Sequence, residues 1–102
     1  MVEENTVNVD SEVQEKTARL LKVLGDPNRI KIVKLLAGGE LCQCEIIPII
    51  GQSQPTVSRH LGLLEKNGIL FGRRDGVKML YRISAPSVSK IVELATSLAC
   101  AR

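Results

Sequence analysis

The chain has 102 residues, 44% of them apolar, and a formal net charge of +3. That length supports one domain with a modest core, which must be aliphatic because Phe71 and Tyr81 are the only aromatic residues. No apolar run approaches the length of a membrane span and the N-terminus is acidic, so the expectation is a cytoplasmic chain with no membrane partner. Three cysteines are an odd number, and thiols in that compartment stay reduced, which argues against a disulfide scaffold.

The net charge conceals an asymmetry. Residues 1–15 hold five acids and no base, whereas residues 16–102 hold fourteen bases against six acids, a net +8. Such a body attracts polyanions and the acidic segment repels them. Residues 1–9 lack periodicity, and the domain reading is a flexible acidic arm over 1–10 followed by a folded unit over 11–102.

The first helix is expected from Ser11, with Ser11 and Gln14 as a capping box. Val13, Leu20, Leu21 and Leu24 form its apolar stripe and Gly25 ends it. Asp26-Pro27 starts a second helix as N-cap and first helical residue. Ile30, Val33, Leu36 and Ala37 supply its apolar face before Gly38-Gly39. A third, short helix is predicted from about Cys42 to Ile50, with Ile46, Ile49 and Ile50 inward and Gly51 as its stop. The fourth begins near Ser53, because Pro55 is tolerated only in a first turn. Val57, His60, Leu61 and Leu64 then follow the i, i+3, i+4, i+7 rule and face inward. Ile69–Arg73 and Val77–Arg82 read as two strands joined at Asp75-Gly76. A last helix opens at Ser84-Ala85-Pro86-Ser87 and carries the stripe Val88, Ile91, Val92, Ala95, Leu98 and Ala99. The order of elements predicts a mainly α fold with a small β-hairpin: a winged helix-turn-helix whose terminal helices form a dimer face.

A recognition helix needs polar side chains at the end that enters the major groove, and Gln52, Ser53, Gln54, Thr56 and Arg59 meet that need. Glutamine can pair bidentately with adenine and arginine with guanine. Arg73, Arg74 and Lys78 on the hairpin would grip phosphates or enter the minor groove. Double-stranded DNA is therefore the expected partner. His60 falls on the inner face and is read as a packing residue.

Cys42 and Cys44 are the chemically sharp pair, since thiolates suit soft ions such as arsenite, antimonite, cadmium, lead or zinc. On a regular helix, residues two apart point about 200° away from each other. Ion capture is then expected to unwind the start of the third helix, with Pro48 lowering the cost because it cannot bond the Cys44 carbonyl. One His, no glycine-rich phosphate loop and no acid–base set argue against an enzyme and against an organic cofactor.

Glu40-Leu41-Cys42-Gln43-Cys44-Glu45, the run Gln52 to Leu61, and Gly76 with Tyr81-Arg82-Ile83-Ser84 together resemble the ArsR/SmtB family. The likeness spans about residues 17–84 and is greatest to the arsenical-resistance repressors. It implies a homodimeric repressor, paired through its terminal helices and released from operator DNA by a metal ion or metalloid. The arsenical pattern often has another Cys three positions after the second; here that position is Ile47, which leaves water or Cys100 as a third ligand. The acid-and-His site of the zinc-sensing branch is absent from the last helix, which has Glu93 and no His. Two alternatives stand beside this expectation: a thiol-redox-sensing winged-helix regulator, and a winged-helix protein-interaction module that binds no duplex.

Overall fold

The computed structural model describes residues 10–101. The expected acidic arm therefore lies outside the described residues except for Asp10, which caps the first helix. Helix α1 (Ser11–Leu24) starts where the Asp10 carboxylate accepts from the backbone N–H groups of Glu12 (2.8 Å) and Val13 (3.3 Å). Asp10, not Ser11, is thus the N-cap, and its negative charge also suits the positive end of the helix dipole.

Helix α2 (Pro27–Leu36) begins as the sequence foretold, with Pro27 in its first turn and the Asp26 carboxylate accepting from Asn28 and Arg29. Partial burial pushes the Asp26 carboxyl up, but those two backbone donors and the Arg29 guanidinium outweigh it and leave it below the usual range. Ile32, Val33 and Leu36 are its buried residues, while Ile30 is only half-buried and Ala37 is exposed.

Strand β1 (Leu41–Cys42) follows, an element that the periodicity does not show because two residues cannot display alternation. Helix α3 (Gln43–Ile50) therefore starts one residue after Cys42. Ile46 and Ile50 turn inward, but Ile49 is 53% exposed, contrary to expectation. Gly51 closes α3 in the left-handed conformation (φ 77°), where a side chain would be strained. Helix α4 (Gln54–Lys66) begins after a short turn, which completes the helix-turn-helix.

Strands β2 (Leu70–Asp75) and β3 (Lys78–Ile83) form the wing, with Asp75 opposite Lys78. The two turn residues are hence Gly76 and Val77, one step later than predicted. Of these two turn residues Gly76 has positive φ (64°), the signature of a turn that takes glycine at its first central position. β1 adds to the free edge of β3, giving an antiparallel sheet of order β1-β3-β2 with Leu41 opposite Tyr81 and Cys42 opposite Leu80.

The core lies between α2, α3, α4 and this sheet. Ile32, Val33, Ile46, Val57, Leu61, Leu64 and Ile69 are essentially without solvent contact. Helix α5 (Pro86–Cys100) packs on α2 through Val88 and Val92. The rest of its predicted stripe is uncovered: Ile91 is 37% and Leu98 79% exposed, and Leu94 adds a further exposed apolar side chain. Leu21 of α1 is also exposed, and an apolar groove lined by Leu21, Leu24, Ile30, Ile91, Val92 and Ala95 runs between α1, α2 and α5. No helix of the described residues is long and apolar enough to cross a membrane.

Candidate DNA interface and adjoining thiol site

The start of α4 is built by Ser53, whose extended backbone precedes the helix and whose Oγ accepts from the Thr56 N–H at 3.3 Å. The same hydroxyl donates to Thr56 Oγ1 at 3.0 Å, which fixes both side chains beside the helix end. Gln52, Gln54 and Arg59 are exposed, and Thr56 is half-exposed. Val57, His60, Leu61 and Leu64 are buried on the opposite side, as the spacing requires. His60 is anchored rather than presented: Arg29 Nη1 lies 3.1 Å from its Nδ1. Arginine only donates, so Nδ1 accepts and the ring proton of a neutral His60 sits on Nε2. Five expected reading residues thus cluster at one exposed helix end.

On the wing, Arg74 and Lys78 are exposed near the turn. Arg73 is also on the surface but already occupied. Its Nε and Nη2 donate to the two carboxylate oxygens of Glu40 at 3.0 and 2.9 Å. The Arg73 guanidinium holds the Glu40 carboxyl below the usual range, and Glu40 pushes Arg73 up. Nothing in local spacing reveals a pair 33 residues apart, so sequence reasoning missed Glu40. Arg82 is likewise spoken for, lying 4.5 Å over the Phe71 ring.

The thiol pair sits where the sheet meets the helix-turn-helix. Cys42 is the buried N-cap of α3, with extended backbone, and its sulfur accepts from the Cys44 N–H at 3.1 Å. The Glu45 carboxylate reaches back to the Cys42 N–H at 2.8 Å, completing a capping box. Only Cys44 is inside the helix, so the opposed geometry expected for two helical cysteines does not arise. The two sulfurs are joined as a disulfide, with Cα atoms 5.1 Å apart. Bringing them together requires no unwinding of α3. Pro48 does lie inside α3, but the role foreseen for it, easing that distortion, has no work left to do.

Cys44 is exposed and gives access from solvent, whereas Cys42 is buried. Gln43, between the two, donates from Nε2 to Ser58 Oγ on α4. This contact was also invisible in the sequence. Cys100 stands apart as a free, exposed thiol at the end of α5, lining a cleft with Val33, Lys34 and Ala37 of α2. Among the described residues no group of three or more Cys, His, Asp or Glu is placed to hold a metal ion. The chain itself thus supplies two sulfurs at one place and does not bring its third there.

The model of the bacterial regulatory protein family arsR matches residues 26–70, from the N-cap of α2 into the wing. An HTH-type transcriptional regulator of Methanocaldococcus jannaschii is 42% identical over 88 residues, which are 85% of this chain and 99% of that protein. The arsenical resistance operon repressor of Escherichia coli K12 is 46% identical over 67 residues, 65% of this chain and 57% of that protein. Among solved structures, a homodimeric winged helix-turn-helix DNA-binding domain from Mycobacterium bovis superposes with a TM-score of 0.81 at 28% identity. That match covers 97% of this chain and 90% of the other.

Proposed function

The chain belongs to the arsR family of bacterial regulatory proteins and is a DNA-binding transcriptional repressor, not an enzyme; on that footing we propose that it is a cytoplasmic homodimer released from its operator when a soft ion engages Cys42 and Cys44. The observation that carries this reading is the meeting of the two sulfurs at the α3 N-terminus, directly beside α4. Arsenite and antimonite are the favoured inducers, since two adjacent thiolates match their affinity for sulfur and an arsenical repressor is among the relatives. Each thiol that captures arsenite gives up its proton, forms an S–As bond and displaces one hydroxyl, which leaves as water. A third ligand would come from solvent or from Cys100, which this chain does not bring to the site by itself.

Dimerisation would cover the apolar groove between α1, α2 and α5, where Leu21 and Ile91 face water, and the exposed Leu98 farther along α5 is a further apolar side chain to cover. A two-fold dimer would set its two copies of α4 on half-sites about one helical turn apart. Gln52, Ser53, Gln54, Thr56 and Arg59 would read bases or bind the nearest phosphates, with Arg74 and Lys78 on the flanking backbone. The test is an operator-release titration with arsenite, antimonite, cadmium, lead and zinc on the reduced protein and its Cys42 and Cys44 variants.

Arg73 has a conditional place in this interface. While paired it carries no free charge toward phosphate, so Glu40→Gln should add one contact. The slope of log affinity against log salt should then steepen by about 1, read by fluorescence anisotropy. The sign with pH follows from Glu40. Its folded carboxyl titrates below its unfolded one, so the pair stabilises the fold above the ordinary carboxylate range and is lost as pH falls through the lowered value. Glu40→Gln should therefore flatten the acid limb of the stability profile. An unchanged salt slope would remove Arg73 from the contact set.

The disulfide favours a second reading, redox sensing at the same pair. Two thiols would pass two electrons to hydrogen peroxide, forming the S–S bond and two waters. Operator release by peroxide that dithiothreitol reverses, with no response to any of the five ions, would select it.

A further inference from the structure

Gly62 lies in the interior of α4, four residues before the helix ends. Its φ is outside the left-handed region, so the backbone there does not require glycine. A Cβ built on Gly62 would meet no atom within 4 Å, so no neighbour in the chain needs the space either. The fold by itself favours alanine: a glycine inside a helix weakens the folding equilibrium by roughly 2- to 5-fold. What a bare backbone does offer is close approach to a molecule outside the chain.

The surroundings of Gly62 are cationic. At about 100° per residue, Arg59, Gly62 and Lys66 fall within about 60° of one another, opposite the buried Val57, His60, Leu61 and Leu64. All three are exposed. Unlike Arg73, neither Arg59 nor Lys66 is paired with an acid among the described residues. Glu65, the one acid of α4, is turned back onto the wing. A Cβ on Gly72 would stand 2.9 Å from Glu65 Oε2 and 2.9 Å from Cε1 of the buried Tyr81, so the carboxylate lies against the bare backbone of β2. A recognition helix reads bases near its N-terminus, and its later turns can meet the sugar–phosphate backbone. We infer that a DNA strand passes closest to α4 at Gly62, its backbone seated on the glycine and its next phosphate gripped by Lys66. This rests on the placement of α4 in the major groove proposed above and extends that contact two turns beyond Arg59. A cation in the last turn also suits the helix dipole, so Lys66 alone would not identify the contact. Gly62 does, because the fold gains nothing from it.

The test sets stability against binding. Thermal melting and operator affinity by fluorescence anisotropy are measured on reduced, full-length protein. The proteins are the parent, Gly62→Ala, Gly62→Leu, Lys66→Ala and Arg59→Ala. Alanine and leucine are better helix formers than glycine, so both Gly62 variants should melt above the parent, by about 2 to 8 °C. Both should nevertheless bind DNA more weakly, because the added atoms hold the duplex off. Gly62→Ala should lose about 5-fold and Gly62→Leu more. The losses should appear on a scrambled duplex as well as the cognate one, since a backbone contact carries no sequence information. Lys66→Ala should reduce the salt slope by about 1.

Higher melting with parental affinity in both Gly62 variants would overturn this assignment, and a loss in Arg59→Ala beside it would keep α4 as the reading helix. A parent that binds no duplex, or Arg59→Ala at parental affinity on every duplex, would overturn the placement of α4 and this assignment together.

Discussion

Replacing Cys42 and Cys44 together with serine should leave operator affinity near the parental value and abolish its response to inducer. Serine is an N-cap of the first rank, so an oxygen at position 42 can accept from the residue-44 N–H as the sulfur does. Glu45 can keep its bond to the backbone of position 42, and position 44 is exposed enough to take a hydroxyl. The fold and the presentation of α4 should thus survive. Coupling between two sites typically changes affinity about 5- to 150-fold, and in the double variant that factor should fall to within about twofold of unity. Titrating arsenite against a labelled operator duplex reads it directly. Release of the double variant at the parental dose would show that the inducer acts elsewhere.

Arg59→Ala should produce the largest loss of affinity available without harming the fold. Arg59 is exposed on α4, and the buried residues Val57, His60, Leu61 and Leu64 hold that helix independently of it. A bidentate contact to a base is worth about 1–3 kcal/mol, or roughly 5- to 150-fold in affinity. The loss should concentrate on the cognate duplex and nearly vanish on a scrambled one. Lys78→Ala should behave differently, lowering affinity for both duplexes and reducing the salt slope by about 1. Equal losses for Arg59→Ala on both duplexes would make Arg59 a phosphate contact and move base reading to Gln52 or Gln54.

Much of the frame was legible in the sequence because its signals are local. Asp26-Pro27 announces a helix start by capping chemistry that acts within three residues. The inward set on α4 follows from spacing along about two turns. Errors arose where two local readings compete or where the determinant is distant. Asp75-Gly76 and Gly76-Val77 both satisfy the need for glycine in a hairpin turn, and cross-strand pairing selects the second. The capping box at α3 is hard to see in the sequence because its N-cap is cysteine rather than serine or threonine. Glu45, three residues on, was the available signal. Recognising it would have moved Cys42 out of the helix and removed the apparent conflict between the two sulfurs. The Glu40–Arg73 and Gln43–Ser58 contacts join residues 33 and 15 positions apart, and only the packing of sheet and helices brings them together.

Thermodynamic linkage gives the most direct test of the central claim, that the state of the Cys42–Cys44 site sets operator affinity. If inducer weakens DNA binding by some factor, bound DNA must weaken inducer binding by the same factor. Cadmium affinity of the reduced protein should therefore be measured alone and again with saturating operator duplex. The expected result is at least about a fivefold weaker cadmium affinity on DNA, matching the fold-loss of operator affinity caused by cadmium. Equal cadmium affinities with and without the duplex would contradict the account.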